Sequence, residues 1–518
     1  MAEKNGSYAE LVKMHREAAA LSSVSQLLNW DQETYMPPRA APFRAEQMAE
    51  LARIVHDRRT NPRVGELISA CENNGVMKDP TTAANVREMR RDFDQSTRLP
   101  SDLVAELALT ASQSQEAWKH AREKSDFAAF APWLEKMMGL SRRKAECLGV
   151  GPGGELYDAL IDEHEPGMTA RAVEATFTPL RKQLADLIAE IAAVSGTKKG
   201  KVSTKCLDVK LEPDAQHKFG LHVLRKMGFD LDAGRLDVTT HPFCSGMAPG
   251  DTRLTTRYRE EKFTDALFGT LHEMGHGLYE QGLPKIGEGA GKGLDLYGTP
   301  LTESISLGIH ESQSRMWENF VGRGKPFWKW ALPLSKKYFG KALQKYSVKD
   351  FHAAVNTTTP SMIRVEADET TYNMHVMIRF EIERALISGA MKVKDVPGEW
   401  NARYKDYLGV KVPDDRRGCL QDVHWSFGLV GYFPTYTLGN LYAAQFWETI
   451  VTEIPDVEKR MAKGDFAALR AWLLEKIHRH GKRYRAAELC EKVTGKALSA
   501  EPLMRHLRGK AKAVYGIK

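Results

Sequence analysis

The chain has only six cysteines in 518 residues, and no two of them form a CxxC pair. Cys71, Cys147, Cys206, Cys244, Cys419 and Cys490 lie far apart. Their spacing excludes a disulfide scaffold and a cysteine-based metal frame, and implies reduced thiols in a reducing compartment. Long apolar runs are also missing. No stretch of about 18 apolar residues occurs, so a membrane-spanning helix is not expected. The opening MAEKNGSYAELVK has no apolar signal core, so the chain reads as cytoplasmic and the sequons at Asn5 and Asn356 are idle. An excess of one charge is lacking too: 74 Lys+Arg against 67 Asp+Glu leave +7, spread along the chain. No nucleic-acid partner is implied. The basic stretches Lys198 to Lys201 and Arg479 to Arg485 read as a solvated loop and a solvated helix face. There is no repeat at a solenoid or propeller period, and no linker rich in Pro, Gly or Ser separates independent domains.

What is present, 42% hydrophobic and 27% charged residues, fits a soluble globular protein with a large core. Apolar residues at three- and four-residue spacing predict helices over Tyr8 to Leu28, Arg44 to His56, Thr81 to Arg98, Ser101 to Lys124, Ala128 to Leu148, Ala170 to Val194 and Pro213 to Met227. Strands are expected at Leu207 to Leu211 and Arg253 to Arg259. The segment Leu236 to Thr252 reads as irregular because of its Pro and Gly content. Three more helices follow, at Thr264 to Gln281, Leu301 to Phe320 and Glu369 to Ser388. The fold class is therefore mainly α, with a small sheet near the chemistry.

The chemistry lies in Leu267 to Leu278, which carries HExxH on a helix beside the apolar stripe Leu267, Leu271, Met274 and Leu278. His272 and His276 stand one turn apart, so two imidazoles reach one tetrahedral ion while Glu273 points toward water in the open position. Zinc is the expected metal. It lowers the pKa of bound water to about 7, so a carboxylate takes the proton at neutral pH and passes it to the leaving amine. Gly275 and Gly277 suit close packing, where Ala would be the better helix former. A catalytic site needs a third protein ligand. The metzincin pattern fails, because Tyr279 and Gly282 occupy its glycine and third-histidine positions. The next helix offers Glu303, His310, Glu311 and Glu318, and spacing alone does not choose among them.

Two other segments imitate sites. Gly287 to Gly293 resembles a phosphate loop, but Ile286 replaces its first glycine and Gly293 its Ser or Thr, so it reads as a mobile loop. His375 with Glu381 and Glu383 resembles a metal cluster, yet the surrounding apolar pattern marks a packed helix.

His310-Glu311-Ser312-Gln313 following HExxH resembles the HESQ motif of the Taq-type metallocarboxypeptidases. His241-Pro-Phe243 is similar to that family's HPF motif, Asp251 to Thr255 to DxRxT, Ile363 to Asp368 to IRxxAD, and Gly418 to Trp425 to GxxQDxHW. With Leu28 to Asp31, Met36 to Pro38 and Tyr157 to Met168, the resemblance spans nearly the whole chain. It implies a large helical peptidase with a long substrate groove, read as a single unit over 1–518. An N-terminal part of about 1–205 would form a groove wall, and a catalytic part would cover about 206–518. It also implies His272, His276 and Glu311 as metal ligands and Glu273 as general base and acid. The implied activity is carboxypeptidase action of broad specificity on peptides with a free C-terminus, poor with C-terminal proline, by a homodimer. Cobalt or manganese suits the same ligands as zinc.

A carboxypeptidase needs a cation for the terminal carboxylate. Arg364, then Arg253, supplies the planar fork that matches it. The aminopeptidase signature GAMEN is absent, since Gly389-Ala-Met391 continues as Lys392-Val393. His241, His424 and Tyr436 are the candidate donors to a developing oxyanion. Asp251, Asp368 and Asp422 are candidates for orienting ligands or arginines, while Trp425 and Phe243 read as packing. The rival readings are an endo-oligopeptidase of similar helical form and a non-catalytic peptide-binding protein.

Overall fold

Amphipathic periodicity becomes helix along most of the chain. The computed structural model describes residues 2–197, 200–284 and 296–517. The segment 287–293, with Lys198 and Lys199, lies outside the described residues. Helices run over Ala2–Thr34, Ala41–Arg59, Pro80–Arg98, Ser101–Lys124, Phe127–Leu148, Ala170–Ser195 and Pro213–Met227. Each covers its expected span, and the outer residues are gained where Pro, Asp or Thr starts the helix. Thr169 and Asp126, for example, accept the backbone N–H of Ala172 and Ala129. Among the described residues, no helix is long and apolar enough to cross a membrane.

The chain divides into two compact units. One comprises Met1–Thr97, Thr204–Val355 and Phe446–Ala497; the other comprises Arg98–Ser203, Asn356–Gln445 and Leu498–Lys518. The first holds a three-stranded sheet of β1 (Gly234–Val238), β2 (Cys244–Ala248) and β3 (Asp251–Thr256), in the order β1-β3-β2. β1 is parallel to β3, with Leu236 opposite Leu254, and β2 is antiparallel with a bulge between Gly246 and Ala248.

Four expectations need correction here. Leu207 to Leu211 is no strand: the Leu207 N–H closes a local turn on Thr204 O (2.8 Å), and the Leu211 N–H alone reaches a distant segment, at Glu260 O (2.8 Å). The supposedly irregular 236–252 contains β2 and most of β1, whose apolar residues are paired by β3 and not by local alternation. The helix expected from Leu301 starts at Leu307, because the Ser306 hydroxyl accepts the Ile309 N–H at 3.0 Å and Pro300–Thr302 forms a separate 3₁₀ turn. That helix, Leu307–Arg315, continues as a π-helix over Met316–Gly322. The stretch Arg479 to Arg485 is likewise no solvated helix face. Its backbone breaks at Gly481, Lys482 pairs with Glu303, and Arg485 with the buried Glu88.

The HExxH helix, Phe263–Gly282, buries Leu267, Leu271, Met274 and Leu278 as the stripe requires. It packs on the sheet and on Leu307–Gly322. Two glycines set this crossing. A Cβ on Gly275 would lie 2.5 Å from Gln313 O and 2.6 Å from Ser314 Cα, and one on Gly322 would lie 2.5 Å from Leu271 Cδ1. In the second unit, Glu369–Ser388 is almost wholly buried, and Asp368 caps it by accepting the N–H groups of Thr370 and Thr371. Glu383 on this helix accepts from Tyr157 Oη (2.6 Å), Trp425 Nε1 (2.7 Å) and the Gly431 N–H (2.9 Å). Trp425 is thus a buried tie as well as packing.

Gly275→Ala places a methyl group against backbone that has no rotamer to yield. It should destabilise the protein by about 1–3 kcal/mol and lower metal affinity in the same variant, since the ligand-bearing helices must separate. Thermal melting with and without added zinc checks both outcomes.

Candidate metal centre and carboxylate-facing residues

In the first unit, the HExxH helix carries His272 and His276, and the helix Leu307–Arg315 carries Glu311. His272 Nε2 lies 3.6 Å and His276 Nε2 3.5 Å from the same oxygen, Glu311 Oε2. The three ligand atoms all lie within 4.8 Å of one another. Four ligands at about 2.0–2.1 Å from zinc leave tetrahedral edges of about 3.3–3.4 Å, so the donor spacing fits a single ion. The other three sequence candidates for third ligand stand elsewhere. His310 stacks on His276 at 4.3 Å with its Nε2 3.1 Å from Glu280 Oε1. Glu303 pairs with Lys482. Glu318 accepts from His272 Nδ1 at 3.0 Å. That bond places the ring proton on Nδ1 and leaves the Nε2 lone pair for a metal.

Carboxylates this deeply buried need compensation. Arg315 Nε donates to Glu311 Oε1 (2.6 Å) and its NH1 to Glu318 Oε2 (3.1 Å), while Arg323 NH2 donates to Glu318 Oε1 (3.1 Å). Arg323 reaches Glu318 because the π-helix, closed by the Arg323 N–H on Glu318 O at 3.0 Å, brings residues five apart onto one face. Burial alone would push the Glu311 carboxyl up. Arg315 and the two imidazoles outweigh it and hold the group well below the usual range. Burial lowers His276 to about 3, which keeps it neutral. Glu273 is pushed up to about 7, chiefly by burial, with His272 opposing the rise.

Arg253 is engaged locally. Its Nε and NH2 donate to Asp251 Oδ1 and Oδ2 (2.8 and 2.9 Å), and its guanidinium lies 4.2 Å from the Trp30 ring centre. Asp251 matches the fork atom for atom. His241, on the turn between β1 and β2, is exposed.

The second unit assembles another constellation. Arg364 donates from both Nε (3.1 Å) and NH2 (2.9 Å) to Asp422 Oδ1 and from NH1 to Tyr372 Oη (2.9 Å). Arg379 Nε takes the other oxygen, Asp422 Oδ2, at 2.7 Å. Two buried guanidiniums therefore share one carboxylate. His424 Nε2 lies 3.2 Å from Tyr436 Oη, and burial, followed by Arg364, lowers its pKa to about 3. It is a neutral imidazole whose Nδ1 is buried without a partner. His375 is fully buried against Tyr404.

Sequence reasoning missed Arg315, Arg323, Arg379 and Tyr372, and weighed Glu318 only as a ligand. Glu311, Arg315 and Glu318 at i, i+4 and i+7 share one helix face, a signal available beforehand. Arg323 had none, because its position depends on the π turn.

Comparison with known proteins gives matches along nearly the whole chain. The family model described as carboxypeptidase Taq (M32) metallopeptidase matches residues 10–511. Thermostable carboxypeptidase 1 of Thermus thermophilus is 45% identical, covering 98% of this chain and 99% of the relative. Carboxypeptidase 1 of Bacillus subtilis is 36% identical, covering 98% of each. The crystal structure of an M32 carboxypeptidase from Deinococcus radiodurans superposes with a TM-score of 0.93 at 39% identity, over 99% of this chain and 100% of that one. A match of this extent, on a chain whose HExxH helix and following glutamate converge on one point, means that the protein belongs to the M32 family of metallocarboxypeptidases and is a peptide hydrolase.

Proposed function

We propose that the enzyme removes residues from the free C-terminus of peptides with broad side-chain tolerance, holding one divalent ion with His272, His276 and Glu311. The observation that carries this reading is the convergence of the three ligand atoms beside Glu273. Zinc suits the two-nitrogen, one-oxygen set best, with cobalt and manganese as alternatives. When bound, such an ion acidifies water and polarises a carbonyl. Glu273 takes up the water proton on its carboxylate and delivers it to the leaving amine nitrogen. Burial already pushes this carboxyl up to about 7 before any ion is bound, toward the neutral range that such a two-way transfer needs.

Arg364 is the proposed partner of the substrate carboxylate. Arg364 and Arg379 carry two positive charges against the single charge of Asp422, which leaves a surplus for an anion, whereas Arg253 is fully matched by Asp251. Neutral His424, with Tyr436 beside it, suits donation to a developing oxyanion. His241 is kept as a third, exposed candidate. Family resemblance supports a homodimer, and the six cysteine thiols support a cytoplasmic setting.

Mass spectrometry of a digested free-acid peptide should give a ladder shortened from the carboxyl end. A chelator should abolish it, and added zinc should restore it. Internal cleavage, or digestion of the C-amidated peptide at the same rate, would favour an endo-oligopeptidase instead. Glu273→Gln should keep its metal and lose about 10²–10⁴-fold in kcat, measured on the same peptide with metal content assayed in parallel. For Arg364→Met, we expect a loss of about 1.5–3 kcal/mol for a charged hydrogen bond, roughly 10- to 150-fold in kcat/KM on the free acid. The slow amide reaction should be unchanged, and equal losses on both peptides would remove Arg364 from carboxylate recognition.

A further inference from the structure

We infer that Arg315 is a positioning residue that makes Glu311 a one-oxygen ligand and, through Glu318, fixes the ring of His272, thereby setting metal affinity and keeping a coordination position open. The inference rests on the metal reading above and goes beyond the three ligands. Arg315 lies four residues after Glu311 and three before Glu318, so all three share one face. Its Nε–H occupies Glu311 Oε1 at 2.6 Å, while Glu311 Oε2 is the oxygen turned toward His272 Nε2 and His276 Nε2. Its NH1 sits 3.1 Å from Glu318 Oε2, the same oxygen that accepts His272 Nδ1–H. One planar guanidinium thus touches a ligand on one side and the orienting partner of a second ligand on the other.

The alternatives for Glu311 show what the contact does. A glutamate with both oxygens unoccupied binds a divalent ion through either or both, and a second oxygen takes the place that water and substrate need. Occupying Oε1 with a charged donor removes that option. Arg323 performs the matching task on Glu318 Oε1, so the Glu318 carboxylate is held from both ends and the His272 ring cannot turn without breaking a charged hydrogen bond. Lysine does not reproduce this, because its single ammonium is a point donor and not a fork.

The test uses the full-length parent, Arg315→Met and Arg315→Lys. Zinc affinity is read by competition with a chromophoric chelator, and coordination by the visible absorption of the cobalt(II)-loaded protein. Arg315→Met should weaken zinc binding by about 10- to 100-fold. Its cobalt bands should lose intensity as a second Glu311 oxygen raises the coordination number. Arg315→Lys should shift both readouts the same way, by less. A merely structural brace predicts a lower melting temperature for the metal-free variant, with parental zinc affinity and cobalt spectrum, and that result overturns the inference. If Arg315→Met does not fold, parental values for Arg315→Lys overturn it equally. A parent that binds neither zinc nor cobalt would refute the metal reading itself and this inference with it, whereas a metal-binding parent with indifferent variants refutes the inference alone.

Discussion

Two helix backbones touch at Gly275 with no side chain between them, and the metal site depends on that contact. Three donors must meet to within a few tenths of an ångström, yet they come from two helices joined by a long connection. Each histidine has its own contact beside it. Gly275 precedes His276 and faces Gln313 and Ser314 just beyond Glu311, while Leu271 precedes His272 and faces Gly322. Helix separation is therefore set by van der Waals contact at the ligands themselves.

Electrostatics then sorts the two constellations by sign. In the first unit, two buried carboxylates, Glu311 and Glu318, meet two guanidiniums, Arg315 and Arg323, and the formal count closes at zero. The imidazole lone pairs beside them are what remains to attract a cation. In the second unit, two guanidiniums meet one carboxylate, and the remainder is positive. Each unit thus compensates its own buried charges, and does so to a different total.

Much of this was legible in the sequence, and the exceptions share a cause. Helices with a continuous apolar stripe, such as Ser101–Lys124 and Pro213–Met227, begin and end where the pattern says. His272 and His276 were explicit because both lie within one helical turn. Glu311 was not separable from Glu303, His310 and Glu318 by spacing, because the choice is made by tertiary contact: Lys482 claims Glu303, Glu280 claims His310 and His272 Nδ1 claims Glu318. Strands β1 and β2 escaped notice for a similar reason. They are five residues each, and their partner β3 supplies the evidence of pairing that the local pattern lacks. Arg364 ranks ahead of Arg253 with both offering a fork; what the sequence did not supply is the part played by Arg379, more than a hundred residues beyond Arg253, which shares Asp422 with Arg364.

The widened turn at Met316–Gly322 has a consequence for how this region tolerates change in chain length. Adding or deleting a residue in a helix rotates everything beyond it by about 100°. Loss of one residue among Asn319, Phe320 and Val321 would tighten the backbone into ordinary α-helical phase and leave Glu318 and Arg323 four residues apart, still neighbours on one face. The π turn thus carries one residue beyond what the Glu318–Arg323 pair requires, so the ion pair, and not the residue count, sets the helix phase here.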